Sequence, residues 1–402
     1  AYNVSVKFKN PEDRWHWVKA GVELLRDRGI PLNPDAPLIY RELSWFFQHK
    51  IGQNLDDANM TYKLHWAQEM QDVLGARPNI EALEHAKTEE EKEQARKLRE
   101  VYKMDPEIIQ KVDQEYGPFD WRLPDAHAIY WAELYRQIAG QTNSLLPEAR
   151  AYETNSYDSD TLRRSIFQSL RMACLRGGAL APSVTNVTEK NFMLWPNLDL
   201  VPTISAAYVK MIEEQPNLNF QNAHKNFLKE AIPLLYMHGR MQSANYWFDY
   251  LNKNYTNSFV GKQANISLKD FVIATVTEDN SETDQSRALD NLAGMYRMEF
   301  LCMLNDQDEW ALNYDNLAKD VWNAYNKKAG TMSIGRIPLK PWPEIRQRVA
   351  DELLNPQAPM LTPYARSYLR TKLGLKAPSP SETTPAIAPV GPEAPAGSAG
   401  PP

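Results

Sequence analysis

Apolar side chains recur at positions i, i+3, i+4 and i+7 along almost the whole chain, and this periodicity limits what the chain can fold into. Such spacing places apolar side chains on one face of an α-helix, whereas a half-buried strand needs strict alternation. Alternating stretches are sparse, and glycine or proline separates many of the periodic segments. The sequence therefore predicts an all-α protein built from short helices joined by turns.

Length and charge exclude several classes of protein. The 402 residues correspond to two or three domains of roughly 150 residues, or to one elongated array. The net charge of −6 argues against the basic surface that binds nucleic-acid phosphates. No stretch approaches the roughly 18 apolar residues of a membrane helix. We therefore expect a soluble body with no nucleic-acid partner and no membrane span in the chain as given; a signal peptide or anchor before Ala1 stays an open alternative.

Composition divides the chain into four blocks. Residues 1–178 form an N-terminal helical repeat region, with an exposed charged helix near 86–104. Residues 179–220 are interrupted by four prolines, so we expect an irregular insertion there. Residues 221–375 form a C-terminal helical repeat region. The last block, 376–402, holds 8 of the 28 prolines and is predicted to be a disordered tail.

Short helices joined by tight turns suggest helix-pair repeats. In such repeats small side chains let two helices approach, and aromatic side chains fill the groove between successive pairs. In the first candidate pair, the residues with this spacing are Tyr40, Leu43, Ser44, Phe47, Ala58 and Tyr62. In the second, Gly239 ends the first helix, and Ala244 and Phe248 repeat the step from a small to an aromatic residue.

These two segments, roughly 34–70 and 226–254, resemble the tetratricopeptide-like (TPR-like) superfamily of α-solenoids, and weaker pairs lie around 127–175 and 292–325. The resemblance implies a curved array of helix pairs. It also implies a non-enzymatic scaffold that binds a protein or peptide partner through a groove between helix pairs. The stretch DWRLPDAHAIYW, residues 120–131, is in addition similar to one in helical proteins of Planctomycete- and Verrucomicrobium-type bacteria; this similarity implies no activity.

The densest cluster of polar and aromatic residues supports a second hypothesis. It contains Asp120, Asp125, His127 and Glu133. A helical hydrolase of the carbohydrate-active type would use two carboxylates of this cluster beside aromatic platforms.

A structural interpretation uses the same cluster differently. Asp125 would cap a helix with Arg122 as its ion partner, while the aromatic rings pack between helices. We favour this interpretation because no second carboxylate motif defines a partner at a fixed separation.

Cofactor and metal motifs are not found. None of the seven histidines belongs to an HExxH pattern, and the two cysteines, Cys174 and Cys302, form no CxxC motif. The sequence contains no glycine-rich nucleotide loop and no GxSxG elbow. We therefore expect neither a metal nor a cofactor.

Two substitutions test the repeat assignment. Replacing Ala58 or Ala244 by leucine is expected to overpack a contact between paired helices and to lower the free energy of unfolding by about 1–3 kcal/mol. Thermal melting measures the effect. Melting curves unchanged by a substitution would remove the repeat assignment at that position.

Overall fold

The computed structural model describes residues 2–76, 78–145, 156–178, 192, 194–214, 216, 218–255, 266–278, 285–331, 338–356 and 361–375. In this part of the chain the regular structure is helical, and the one β-type contact is an isolated bridge between Gly178 and Trp195. The all-α prediction is therefore confirmed for these residues. No helix among them is both long enough and apolar enough to cross a membrane. The predicted tail, 376–402, lies outside the described residues.

Two compact units make up the chain, Ala1–Asp284 and Gln285–Pro402. The helices of the first unit are α1 (Tyr2–Ser5), α2 (Pro11–Glu23), α3 (Ile30–Leu32), α4 (Pro37–Trp45), α5 (Asn59–Leu74), α6 (Ile80–Glu84), α7 (Glu89–Glu100), α8 (Pro106–Tyr116), α9 (Pro124–Leu145), α10 (Ser156–Arg176), α11 (Val201–Glu214), α12 (Leu218–Met237), α13 (Met241–Asn254) and α14 (Leu268–Glu278). Those of the second unit are α15 (Gln285–Leu304), α16 (Asp308–Thr331), α17 (Trp342–Leu354) and α18 (Pro363–Lys372). The four blocks are defined by composition, whereas the two units are defined by compactness. The bounds of the four blocks therefore stay predictions.

Two helices continue as wider, π-helical turns. Leu24–Gly29 follows α2, and Phe46–Gly52 follows α4. A π-helical turn closes hydrogen bonds between residues i and i+5, so it is wider than an α-helical turn. Six of the seven residues in the second segment are buried, including the cationic Lys50.

Helix α9 is the centre of the N-terminal part of the first unit and packs against α4, α10 and the turn Phe46–Gly52. Its small residues, Ala128 among them, let α4 come close enough for Ser44 Oγ to donate to the Ala128 carbonyl at 2.8 Å. Ser44 is thus a small residue at a helix contact, as its spacing suggests, but the neighbouring helix is α9. The repeat assignment predicts α5 as its neighbour.

The carboxylate of Asp56 joins three segments of the first unit. It accepts hydrogen bonds from Arg14 at 2.8 Å, Lys50 at 2.6 Å and the Tyr62 hydroxyl at 3.0 Å. Burial alone would raise the pKa of Asp56, but the hydrogen bonds from Lys50, the Ala58 amide and Arg14 outweigh it and hold this pKa at about 2. The carboxylate of Asp56 therefore neutralises the charge of the buried Lys50.

One expectation for the insertion 179–220 is wrong. Residues Val201–Glu214 form helix α11, although the prolines of this block, Pro202 among them, predict an irregular chain. Pro202 occupies the first turn, where the missing N–H removes no intrahelical hydrogen bond. Proline therefore starts this helix. Residues 179–191 lie outside the described part of the chain.

Helix α12 is the middle helix of the C-terminal part of the first unit and contacts α11, α13 and α14. Gly239 lies in the turn between α12 and α13 with φ of 71°, a left-handed conformation that glycine adopts without strain. Ala244 and Phe248 are buried on α13. In the second unit, α15 packs on α16, α17 and α18, and its buried Glu299 accepts hydrogen bonds from Nε and one terminal nitrogen of Arg346 on α17.

Replacing Asp56 by asparagine tests the buried charge network. We expect Asp56→Asn to lower the free energy of unfolding by on the order of 3 kcal/mol, because Lys50 is left buried without its counter-ion. Urea denaturation at pH 7 measures the change. The exposed neighbour gives the control, and Asp57→Asn is expected to leave the denaturation midpoint nearly unchanged. Equal midpoints for the two variants would contradict the network.

Candidate functional site

Asp120, the first residue of the predicted catalytic cluster, is paired with Arg122. The guanidinium donates to its carboxylate from Nε at 3.0 Å and from a terminal nitrogen at 2.8 Å, and both side chains are buried. The Arg122 amide also donates to Asp120 at 3.1 Å. The expected pairing of Arg122 with Asp125 is wrong, because this tight turn brings Asp120 to the guanidinium first.

Glu133 and Tyr130 are turned toward different neighbours. Glu133 accepts from the Tyr116 hydroxyl at 2.8 Å and from Arg136 at 2.7 Å. The Tyr130 hydroxyl accepts from the Asp105 amide at 2.9 Å, at the start of α8. Both side chains thereby join α9 to neighbouring segments.

His127 is an aromatic core residue. Its Nε2 lies 2.8 Å from the Trp121 carbonyl, which can only accept, so Nε2 carries the proton. The ring stacks on Phe47 with centroids 5.3 Å apart and meets the edge of Trp66 at 5.0 Å. Burial lowers the pKa of His127 to about 4, so the imidazole is neutral at pH 7.

Asp125 is the second residue of α9, directly after Pro124. It therefore lies inside the helix, and the prediction that it caps the helix is wrong. Its Oδ1 is buried and has no hydrogen-bond partner among the described residues. Burial raises the pKa of Asp125, while Arg176 and Lys63 oppose the rise. The structure thus brings Asp125 together with two cations that the sequence did not associate with it.

Lys63 is fully buried on α5. Its Nζ donates to the Gln53 carbonyl at 3.1 Å and to the side-chain oxygens of Asn54 and Asn59 at 3.3 and 2.9 Å. Burial and the nearby Arg176 lower the pKa of Lys63 to about 7, against the attraction of Asp125. The four predicted catalytic residues therefore lie in separate buried contacts, and no hydrogen bond joins any two of them in the described part of the chain.

An open groove lies between α11 and α13, with a volume of about 820 Å³. Pro202, Ala206 and Val209 form its wall on α11, and Tyr246, Trp247 and Tyr250 form its wall on α13. Tyr246 remains 61% exposed, although tyrosine is a large aromatic residue. The three rings touch in sequence, with centroids of Tyr246 and Trp247 4.9 Å apart and those of Trp247 and Tyr250 5.5 Å apart.

Polar side chains lie along the same groove. Lys210 and Glu213 are exposed on α11, and Gln242 and Ser243 lie at the start of α13. They provide hydrogen-bond donors and acceptors and one charge of each sign. A mostly apolar groove with a few polar groups is the usual form of a ligand site.

His224 of α12 ties the two walls together. Its Nε2 lies 2.9 Å from Oγ of Ser205, on α11, and its Nδ1 lies 2.7 Å from the hydroxyl of Tyr255, directly after α13. The ring also stacks on Tyr208 at 5.2 Å. Burial lowers the pKa of His224 to about 4, so the ring is neutral, with one nitrogen donating and the other accepting.

Sequence reasoning missed this groove. Its wall on α11 falls in the block that we expected to be irregular. One signal was present on α13, because Tyr246 and Tyr250 are four residues apart and share a helical face. Among the described residues, no group of three or more His, Cys, Asp or Glu side chains is placed to hold a metal ion.

The sequence matches no family model, and comparisons with curated proteins and with solved structures find no match.

The two buried histidines predict a pH dependence of stability. The pKa of each is about 4 when folded and about 6.5 when unfolded, so the unfolded chain takes up these protons first as the pH falls. Stability is therefore full above about pH 6.5 and is lost toward pH 4, by on the order of 3 kcal/mol for each histidine. Urea denaturation across this range measures the loss.

Single substitutions show how much of the loss of stability comes from each buried histidine. His127→Gln and His224→Gln remove one titrating group each, so the loss between pH 6.5 and pH 4 should shrink in each variant. The exposed His16 gives the control, and His16→Gln should keep the wild-type profile. A profile that does not change in either buried variant would contradict the assignment.

Proposed function

We propose that this chain is a non-enzymatic scaffold of the TPR-like α-solenoid type, which binds an extended peptide segment of a protein partner in the groove between α11 and α13. The observation that carries the proposal is the aromatic wall of Tyr246, Trp247 and Tyr250 along an open groove of about 820 Å³, in which Tyr246 is 61% exposed. Aromatic residues of this kind dominate the affinity of many protein interfaces.

The packing of α11 to α14 supports the repeat part of the proposal. Helix α12 contacts both α11 and α13, and it also contacts α14. In stacked helix pairs, each repeat contacts its neighbours, and the stack forms an extended concave binding surface. The arrangement of α11 and α13 on either side of a groove, with α12 behind them, agrees with that pattern.

The groove chemistry supports a peptide as ligand. An extended peptide offers apolar side chains for the aromatic rings and main-chain groups for Gln242 and Ser243. The Ser205 hydroxyl borders the groove and is already bonded to His224, so the wall is held in place before a ligand arrives. A preformed site avoids the entropic cost of ordering its own side chains on binding.

The alternative function, a helical hydrolase using Asp120, Asp125, His127 and Glu133, has less support. Glycoside hydrolysis needs a general acid and a second carboxylate about 5 to 10 Å apart that both reach the substrate. Asp120 and Glu133 are each buried against an arginine, and His127 is stacked between aromatic rings. These contacts favour the structural interpretation of the cluster.

Peptide selection on the full chain tests the proposal. We expect a displayed library of random peptides to yield sequences that bind the wild-type chain and bind Tyr246→Ala at least tenfold more weakly, because the exposed ring is a main contact. Fluorescence anisotropy of the selected peptides measures the affinities.

The matched control is Tyr364→Ala, which removes a tyrosine that is 80% exposed on α18 and lies outside the groove. It should bind the selected peptides as the wild type does. If selection yields no binders, or if Tyr246→Ala binds as tightly as Tyr364→Ala, the proposed function is wrong. Turnover of a glycan panel that is lost in Asp125→Asn would favour the hydrolase.

A further inference from the structure

The groove between α11 and α13 offers more hydrogen-bond donors than groups that can only accept. Four of the side chains that line it carry a donor in an ammonium, amide or hydroxyl group: Lys210, Gln242, Ser243 and Tyr246. Among the described residues of the lining, only Glu213 can accept without donating. A ligand with many carbonyl groups and few N–H groups of its own fits this set of donors.

The charges along the groove balance each other. Lys210 and Glu213 are both exposed on α11, three residues apart, and side chains at this spacing on a helix are neighbours. Their fields therefore largely cancel, and the groove favours neither an acidic nor a basic ligand. The ligand that is complementary to this lining is an uncharged segment.

Three aromatic rings give the wall on α13 an uneven surface. The ring planes of Tyr246 and Trp247 are 84° apart, and those of Trp247 and Tyr250 are 65° apart. Rings tilted in this way present faces and edges in turn, so the wall has ridges and notches. Proline fits such notches at low cost, because its ring has almost no rotamer freedom to lose on binding.

A proline-rich segment in the polyproline II conformation matches all three features. It has no internal hydrogen bonds, and its prolines have no N–H, so its carbonyl groups need donors from outside. Aromatic-lined grooves are the usual binding sites of such segments. The wall on α11 extends from Pro202 to Glu213, about 16 Å at about 1.5 Å per helical residue. This length holds about five residues of a polyproline II helix, enough for two prolines three apart on one edge.

We propose that the groove between α11 and α13 binds an uncharged, proline-rich segment of a partner protein as a polyproline II helix. The proposal rests on the proposed peptide-binding function and names the class of peptide. Tyr246, Trp247 and Tyr250 contact the proline edge of the segment. Gln242 and Lys210 donate hydrogen bonds to its main-chain carbonyls.

The experiment uses the full-length chain and fluorescein-labelled decaproline as the probe. We expect saturable binding by fluorescence anisotropy. A labelled peptide of the same length, in which glycine and serine alternate, is also uncharged but is flexible and lacks proline rings. It should bind at least tenfold more weakly. Equal affinity for the two peptides would overturn the inference.

Variants of the exposed ring connect binding to the groove. Tyr246→Ala should weaken decaproline binding at least tenfold, whereas Tyr246→Phe keeps the ring and should keep most of the affinity. Tyr364→Ala, outside the groove, should bind as the wild type does. Because Tyr246 and Tyr364 are exposed, thermal melting should show that all three variants are as stable as the wild type. Unchanged affinity in Tyr246→Ala would show that decaproline binds elsewhere, and the inference would be wrong.

Ionic strength tests the preference for an uncharged segment. Raising the salt concentration from about 0.05 M to about 0.5 M should change the affinity for decaproline by less than about threefold, because screening has no net charge to act on. Peptides selected from the displayed library should likewise carry little net charge and contain prolines three residues apart. Selected peptides that are strongly charged and bind only at low salt would contradict the proposed class of ligand.

Failure of this inference is distinguishable from failure of the proposed function. If library peptides without proline bind in a way that depends on Tyr246 while decaproline does not bind, the groove binds peptides of another class and only this inference is wrong. If neither the library nor decaproline yields binding, both proposals are wrong.

Discussion

The hydrogen bonds on the two sides of His224 hold together the part of the molecule on which the functional proposal depends. A neutral imidazole has one donor and one acceptor, and here both nitrogens are used, one toward Ser205 of α11 and one toward Tyr255 after α13. The two helices are thereby attached to α12 at positions that leave a groove between them. Because His224 is fully buried, a missing partner would leave an unsatisfied polar atom in the core, which costs about 1–3 kcal/mol. The spacing of the groove walls is thus coupled to the stability of the core beneath them.

The N-terminal part of the first unit uses its buried polar groups in a different way. Asp56, Asp120 and Glu133 each neutralise at least one cation, and each also links segments or shapes a turn. Breaking one such pair leaves a buried charge, so these contacts restrict which packing arrangements are stable. The described acids, histidine and aromatic rings of this cluster make buried ion-pair and packing contacts. The groove differs, because its aromatic wall includes Tyr246, which stays 61% exposed.

Much of the fold could be predicted because helical periodicity is a local property. The pattern of apolar residues predicts an all-α chain, and the described residues are helical; Gly239 lies in the turn after α12, where a glycine suits the left-handed backbone. The sequence does not determine in the same way which helix or side chain a residue contacts in the folded chain. Ser44 has the right size for a close helix contact, but nothing in its spacing says that the neighbour is α9. In the same way, local sequence allows Arg122 to pair with Asp120 or with Asp125, and only the turn geometry decides.

The groove was missed for a related physical reason. Prolines were interpreted as breaks, yet proline in the first turn of a helix is compatible with helix formation, as Pro202 in α11 demonstrates. If α11 is not predicted, the groove has no second wall. The sequence then gives no reason to expect that Tyr246 and Tyr250 border a cavity. Asp125 also shows the limit of local reasoning: its burial beside Lys63 and Arg176 depends on residues 62 positions before it and 51 positions after it.

Hydrogen exchange measured by mass spectrometry tests the central claim most directly. The full-length chain would be compared with and without a saturating amount of a peptide selected from the displayed library. If the groove is the binding surface, exchange should slow in the segments 202–213 and 242–250, while α4, α9 and the second unit keep their rates. Slowing that is confined to other helices, or rates that are the same with and without saturating peptide, would contradict the account.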